Sequence, residues 1–113
     1  MEFKNHENGI IEIIDDNRCI INADDLFSIL LNNECSTIII KEENISQDFF
    51  NLSTGMAGEI LQKFSNYHKR MAIIGKFDCI KNKPLIDFIY ESNRTKKIIF
   101  VNKIEEAIKI FNE

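Results

Sequence analysis

The chain has 113 residues and a formal net charge of −4, with 44% hydrophobic and 28% charged residues. This composition is typical of one ordered globular domain, which we expect to span residues 1–113. The acidic balance disfavours nucleic acid and anionic membranes as partners, because sequence-independent binding to either requires a dominant basic field.

The lack of signal-peptide features and the pattern of cysteines both predict a cytoplasmic protein. The N-terminus MEFKNHENG lacks the basic start and apolar run of a signal peptide, and no apolar segment approaches the ~20 residues that a membrane span requires. Cys19, Cys35 and Cys79 are odd in number, and no Cys-x-x-Cys pair or Cys/His cluster accompanies them. We therefore expect free thiols in a reducing compartment, with no metal and no cofactor.

The first part of the chain predicts a hairpin, a helix and a buried strand. Short strand patterns at residues 2–4 and 10–14 flank an Asn-Gly pair at 8–9, which favours the positive φ angles of a hairpin turn. Asn22, followed by two carboxylates, has the chemistry of a helix start, and apolar residues follow at helical spacing. Residues 37–40 are β-branched and do not alternate with polar residues, which is typical of a strand covered on both faces.

A long connection precedes the next helix. Residues 41–53 lack a regular pattern, whereas βα loops usually have about two to six residues. The segment places Glu42-Glu43 at the carboxyl end of a central strand, and its Phe49-Phe50 pair either fills the core beneath the loop or offers a surface to a partner. An amphipathic helix is predicted at about 55–69, before a buried strand at 71–74.

The last part of the chain predicts two more helices around a third buried strand. One helix begins near Pro84, and Asn93 suits its C-terminal cap. Residues 98–101 form the strand, and Asn102 with Glu105 resembles a capping box that opens the closing helix.

The order of these elements predicts a small α/β sandwich. An N-terminal antiparallel hairpin is followed by three strands that alternate with four helices. This spacing, with strands that are apolar on both faces, favours a mostly parallel central sheet joined by right-handed crossovers.

The start of the helix at about 55–69 is the most informative candidate site. Ligands of open α/β sheets bind beyond the carboxyl ends of strands, and two hydroxyls, Ser53 and Thr54, with two glycines, Gly55 and Gly58, open this helix. The Gly-x-x-x-x-Gly-Lys-Ser/Thr and Gly-x-Gly-x-x-Gly patterns are absent. The alternative is that Ser53 or Thr54 caps the helix while the glycines allow close helix packing.

Two runs resemble an uncharacterised bacterial family. They are DFFNLSTGMAGEILQKF at residues 48–64 and FIYESN at residues 88–93, and together they look like the DUF4180 domain, with a resemblance that extends from about Ile11 to Phe111. The family brings no established activity.

The architecture is also similar to STAS domains, the fold of sulfate transporters and anti-sigma factor antagonists. The resemblance implies that a serine at the N-terminus of the helix after a central strand is phosphorylated by a partner kinase, which switches binding. Ser53 and Thr54 fall near that place by order of elements. The chain departs from the pattern in two respects: Leu52 precedes Ser53 where those antagonists usually show Asp, and the preceding loop is long.

The leading hypothesis is a non-enzymatic regulatory module that binds another protein. A phosphate on Ser53 or Thr54 would add roughly −1.5 to −2 charges beside helix N–H groups, enough to alter docking. No catalytic residue and no metal ligand is predicted. The candidate partner-binding residues are Glu42, Glu43, Phe49, Phe50, Ser53, Thr54, Gly55, Met56 and Gly58.

Two other hypotheses stay open. One is a small-molecule sensor or minor enzyme that uses a crevice at the strand carboxyl ends, near Glu42, Gly75, Asp78 and Cys79. The other is a homodimer formed through exposed parts of Phe49, Phe50, Met56 and Tyr90.

Overall fold

The computed structural model describes residues 2–113 and contains one five-stranded sheet with the order β1-β2-β3-β4-β5. β1 pairs antiparallel with β2, and the remaining neighbours pair in parallel. The strands are β1 (Phe3–Asn5), β2 (Ile10–Ile13), β3 (Thr37–Lys41), β4 (Arg70–Ile74) and β5 (Ile98–Val101). The predicted hairpin and the mostly parallel sheet are confirmed.

The hairpin turn has the backbone that its sequence predicts. Asn8 and Gly9 both have positive φ angles, 65° and 74°. Tight hairpin turns need this conformation because it matches the right-handed twist of the strands, and Asn and Gly adopt it at low cost.

Four helices cover the two faces of the sheet unequally. They are α1 (Ala23–Asn32), α2 (Met56–Tyr67), α3 (Lys83–Thr95) and α4 (Ile104–Phe111). Helices α1 to α3 each connect neighbouring parallel strands and pack on one face, whereas α4 packs on the other. Crossovers of one hand between strands added in one direction produce this arrangement.

The core is correspondingly divided into a large and a small cluster. The large cluster lies between the sheet and the first three helices, and Leu26, Ile60 and Phe64 are fully buried in it. The small cluster lies beneath α4, where Ala107 and Phe111 pack against the opposite face. None of the helices between residues 2 and 113 combines the length and the apolar character that crossing a membrane requires.

Helix α1 begins as predicted, but two predicted caps on later helices are wrong. The Asn22 side chain accepts a hydrogen bond from the Asp25 amide at 3.0 Å. Helix α3 continues past Asn93 to Thr95, because Lys96 ends it in the left-handed conformation at φ 63°. Helix α4 begins after Lys103, which caps it without a side-chain bond, so Asn102 lies one position too early to form a capping box.

The connection between β3 and α2 has more structure than the sequence indicates. It contains three consecutive turns of 3-10 helix, Glu42–Asn44, Gln47–Phe49 and Leu52–Thr54. The buried Asn44 side chain accepts from the Lys41 amide at 2.8 Å and donates to the carbonyls of Asp15 and Asn17 at 2.7 and 2.9 Å. These bonds attach the segment to the turn after β2, so it forms a fixed platform.

Candidate functional site

A cleft opens at the carboxyl ends of β3 and β4, on the face covered by α1 to α3. Its volume is about 330 Å³. We call it the carboxyl-end cleft, and its lining residues are Arg18, Glu42, Glu43, Gln47, Phe50, Lys76, Phe77, Ile80 and Leu85. Four segments supply them: the turn after β2, the platform after β3, the loop after β4 and the first turn of α3.

Gly75 shapes this cleft through a close approach. A Cβ atom at Gly75 would lie 2.7 Å from the Glu42 side-chain carboxyl carbon and 3.0 Å from the Phe77 ring. The missing side chain therefore lets the Glu42 carboxylate lie directly against the end of β4. Glycine is favoured here by this close contact and not by its backbone conformation.

The apolar part of the cleft is continuous with the core. The Phe50 and Phe77 rings lie 6.4 Å apart at 29°, and each also contacts a buried ring at 5.2 Å, Phe49 and Phe100 respectively. Because fully or almost fully buried rings hold them from below, Phe50 and Phe77 form a pre-arranged floor.

The charges of the cleft are balanced and do not pair with one another. Arg18 and Lys76 face the same space as Glu42 and Glu43. Among residues 2–113, none of the four takes part in a side-chain ion pair or hydrogen bond. Outside the cleft, Lys41 pairs with Asp16, and this hydrogen bond lowers the pKa of the Asp16 carboxyl.

A second, shallower depression lies at the N-terminus of α2. We call it the α2 depression; it has a volume of about 250 Å³ and is lined by Ile21, Asn22, Ala23, Asp48, Thr54, Gly55, Met56 and Glu59. Ile21 is 56% exposed, and Asp48 and Glu59 are exposed carboxylates. The depression is therefore mixed, with Ile21 and Met56 as apolar contacts beside polar and acidic side chains.

Ser53 and Thr54 differ in how their hydroxyls are used. Thr54 Oγ1 lies 2.6 Å from the Asp48 carbonyl and 2.9 Å from the Asn51 carbonyl, and it accepts from the Met56 amide at 3.3 Å. Within residues 2–113, Ser53 Oγ makes one hydrogen bond, to the Asn51 side chain at 2.7 Å, and Ser53 is exposed. Thr54 therefore fixes the entrance to α2, whereas Ser53 is accessible.

The two glycines at this helix start are not explained by close packing. The residue at the helix N-cap is Gly55, with φ 82°, rather than Ser53 or Thr54. A Cβ atom at Gly55 or at Gly58 would meet no atom within 4 Å. The packing interpretation is wrong, since Gly55 is required by its backbone conformation and Gly58 lies in open space.

The candidate partner-binding residues divide between the two concavities. Glu42, Glu43 and Phe50 line the carboxyl-end cleft, while Thr54, Gly55 and Met56 line the α2 depression. Ser53 and Gly58 are exposed but line neither concavity. Phe49 also lines neither, because its side chain is fully buried against Phe50, Phe88 and Phe100. Of the two alternatives for Phe49, the structure selects the core, so this residue offers no surface to a partner.

The predicted crevice is only partly the observed cleft. Glu42 lines it and Gly75 lies beneath Glu42, but Asp78 and Cys79 are exposed and do not line it. Sequence reasoning missed Arg18 and Lys76, whose only signal was their position in turns. In the part of the chain that the structure describes, no group of three or more His, Cys, Asp or Glu side chains could hold a metal ion.

The residues considered for a homodimer do not all lie at the surface. Phe49 is buried and Phe50 and Met56 are half-buried, whereas Tyr90 is 71% exposed. Tyr90 follows Ile86 by one helical turn on α3, and Ile86 is also exposed. The homodimer stays a prediction that light scattering over a concentration series would test.

The fold and its cleft define a small α/β protein with a sequentially ordered, mostly parallel sheet and a concave site at the carboxyl ends of its strands. The model of the domain of unknown function DUF4180 matches residues 5–111, and the chain belongs to this family. No curated protein and no solved structure matches the chain.

Proposed function

We propose that this protein is a cytoplasmic, non-enzymatic regulatory module that binds another protein through the α2 depression and the exposed turns beside it. The carrying observation is the combination of exposed Ile21 and half-buried Met56 with the carboxylates of Asp48 and Glu59 around one concave surface. Such a surface favours a partner that presents an apolar side chain flanked by basic residues.

The rigidity of the platform supports this proposal. The turn that carries Asp48 begins with Ser46, whose hydroxyl accepts from the Asp48 amide at 3.2 Å. Thr54 Oγ1 joins the two turns by donating to the Asp48 carbonyl at 2.6 Å. A surface that is ordered before binding loses less conformational entropy on association. The segment is thus suited to recognition despite its length.

Phosphorylation of Ser53 is the proposed switch. Ser53 is exposed, and its hydroxyl donates a hydrogen bond to the Asn51 side chain. A phosphate there adds about −1.5 to −2 charges to the residue before Thr54 and Gly55, which line the α2 depression. It would strengthen attraction to a basic partner and repel an acidic one. The resemblance to STAS domains, which rests on the order of elements, implies a modified serine near the same place.

Photo-crosslinking in native cells tests the proposal. A photoreactive amino acid at Asn51 or Ser53 samples the platform beside the α2 depression, and the same amino acid at Ser65, exposed on the far part of α2, is the matched control. We expect one protein to crosslink from the platform positions and not from Ser65, and Glu59→Lys to abolish that crosslink.

The switch has its own readout in the same cells. We expect a phosphopeptide containing Ser53 that disappears in Ser53→Ala, and altered partner recovery in Ser53→Glu. Thr54→Ala is the comparison, because it removes structural bonds and should lower stability without removing the phosphopeptide. Equal crosslinking from Ser65 and the platform would contradict the binding surface, and absence of the phosphopeptide would contradict the switch.

A further inference from the structure

We propose that the carboxyl-end cleft binds a small zwitterion of the α-amino acid class. In this arrangement the ligand's ammonium group lies at Glu42 and Glu43, its carboxylate lies at Arg18 and Lys76, and its apolar side chain lies on the Phe50 and Phe77 rings. This inference goes beyond protein binding, because it concerns a different concavity and a different class of ligand.

The location and size of the cleft are those of a metabolite site. It lies beyond the carboxyl ends of two central parallel strands, the region where open α/β sheets bind ligands. Its volume of about 330 Å³ lies near the lower end of the range for ligand pockets, about 300 to 1,000 Å³. A ligand with few heavy atoms fits this space.

The charges select a zwitterion rather than a simple ion. An anion alone would approach Glu42 and Glu43 at unfavourable energy, and a cation alone would meet Arg18 and Lys76 in the same way. Within residues 2–113 these opposite charges share the cleft without forming an ion pair. A molecule that carries both charges would interact favourably with all four groups.

The floor adds a preference for an apolar or aromatic side chain. Phe50 and Phe77 are half-buried and nearly parallel, and Ile80 and Leu85 line the same space. Because buried rings hold Phe50 and Phe77 in place, this apolar surface needs little rearrangement on binding. We therefore expect leucine, methionine or phenylalanine to bind more tightly than glycine or aspartate.

The contact of Glu42 with Gly75 gives the proposal a sensitive test. Glu42 occupies the space above Gly75, and the atoms nearest to an added Cβ are the end of this side chain and the tip of the Phe77 ring. Gly75 does not have a positive φ, so Gly75→Ala leaves the backbone unstrained. This variant should displace the carboxylate of Glu42 while the protein stays folded.

The experiment titrates the full chain with free L-amino acids. Binding is monitored by ¹H–¹⁵N spectra and by thermal shift. The probes are leucine, methionine, phenylalanine, glycine and aspartate, together with N-acetyl-leucine, leucinamide and inorganic phosphate. We expect saturable shifts at the amides of Glu42, Lys76 and Phe77 with the apolar zwitterions. Blocking either charged end should weaken binding at least about tenfold, which corresponds to about one lost charged contact.

Matched variants locate the site. We expect Glu42→Gln, Lys76→Met and Gly75→Ala each to weaken leucine binding at least about tenfold. Glu59→Gln in the α2 depression and Lys109→Met on α4 should leave it unchanged, because both residues lie outside the cleft. These variants distinguish the two proposals, because Glu59 variants are expected to weaken binding of the protein partner and not binding of the amino acid.

Three outcomes would overturn the inference. One is the absence of any saturable shift with the whole panel. Another is equal binding of leucine, N-acetyl-leucine and leucinamide, which would show that the charged ends are not recognised. The third is a saturable shift with inorganic phosphate and none with the amino acids, which would identify an anion site instead. A folded ¹H–¹⁵N spectrum for each variant excludes unfolding as the cause of lost binding.

Discussion

The side-chain amide of Asn93 pairs with both backbone groups of Phe100. Asn93 Nδ2 donates to the Phe100 carbonyl at 3.3 Å, and Asn93 Oδ1 accepts from the Phe100 amide at 2.7 Å. β5 is an edge strand whose inward bonds to β4 use residues such as Lys97 and Val101. The Phe100 groups face away from β4, so Asn93 occupies the place that a sixth strand would take.

Asn93→Ala should open this edge. We expect the free energy of unfolding to fall by about 1 kcal/mol, because one pair of hydrogen bonds is replaced by bonds to water. The Phe100 amide should exchange with solvent at least about tenfold faster. Self-association should also increase, since an unpaired strand edge is a template for another chain. Urea unfolding, hydrogen exchange and light scattering measure these effects.

Asn66→Ala is the control for the edge variant. Asn66 is exposed on α2 and has no side-chain hydrogen bond among the described residues. Its replacement should change stability by no more than about 0.5 kcal/mol. Unchanged exchange at the Phe100 amide in Asn93→Ala would contradict the proposed role of Asn93.

Asn44→Ala should be the more damaging asparagine replacement. Asn44 is fully buried, and its side chain makes three hydrogen bonds to the backbone of Asp15, Asn17 and Lys41. Leaving these groups without partners should cost about 3 kcal/mol in urea unfolding. Asn102→Ala should stay within about 0.5 kcal/mol, because Asn102 is exposed and does not cap α4. Similar losses for both variants would show that Asn44 has no special role.

Gly55 and Gly58 should respond to alanine with opposite signs. Gly58 lies within α2 with open space around its Cα, so Gly58→Ala should raise the free energy of unfolding by about 0.5 to 1 kcal/mol through helix propensity. Gly55 has φ 82°, so Gly55→Ala should lower it by about 1 kcal/mol. Thermal and urea unfolding compare the two. Stabilisation by both substitutions would contradict the left-handed conformation of Gly55.

Cys35 should make stability depend on alkaline pH. Burial raises the pKa of the Cys35 thiol above its ordinary value of 9.0, so the folded state retains the proton at a pH where the unfolded chain releases it. Its contribution is fully present below about pH 9 and decreases as the pH rises through the folded-state pKa. Burial raises the pKa of Cys19 in the same direction.

The measurement is urea unfolding at about pH 7 and at about pH 10, for the native chain and for Cys35→Ala. We expect a smaller loss of stability between the two pH values in the variant. Cys79→Ala is the matched control, since Cys79 is exposed. An identical pH response of all three proteins would exclude a contribution from Cys35.

The strands and helices could be predicted because their signals are local. Apolar periodicity and β-branched runs identify β3 and α2 without reference to the rest of the chain. Local signals could not show that Asn93 does not cap α3. An asparagine side chain can bind the end of a helix or the free backbone groups of an edge strand. Only the position of β5 beside α3 decides which partner it has.

The candidate site could be predicted only in part, since its residues come together through the fold. Glu42 was identified from its place after a central strand, but its contact with Gly75 depends on the register of β3 against β4. Arg18 and Lys76 lie in turns almost 60 residues apart and have no shared motif. Phe49 was ambiguous because a hydrophobic residue in a long loop suits both burial and recognition.

The identical order of strands in the sheet and in the chain has a consequence for assembly during synthesis. When each new strand is synthesised, the strand beside which it packs is already present. The chain segments that must close are therefore short, and the entropic cost of closing them is small. The growing sheet nevertheless presents an open edge to the cell after every strand. Asn93 lies in α3, which is synthesised before β5. The side chain that covers the final edge strand is therefore present when that strand leaves the ribosome.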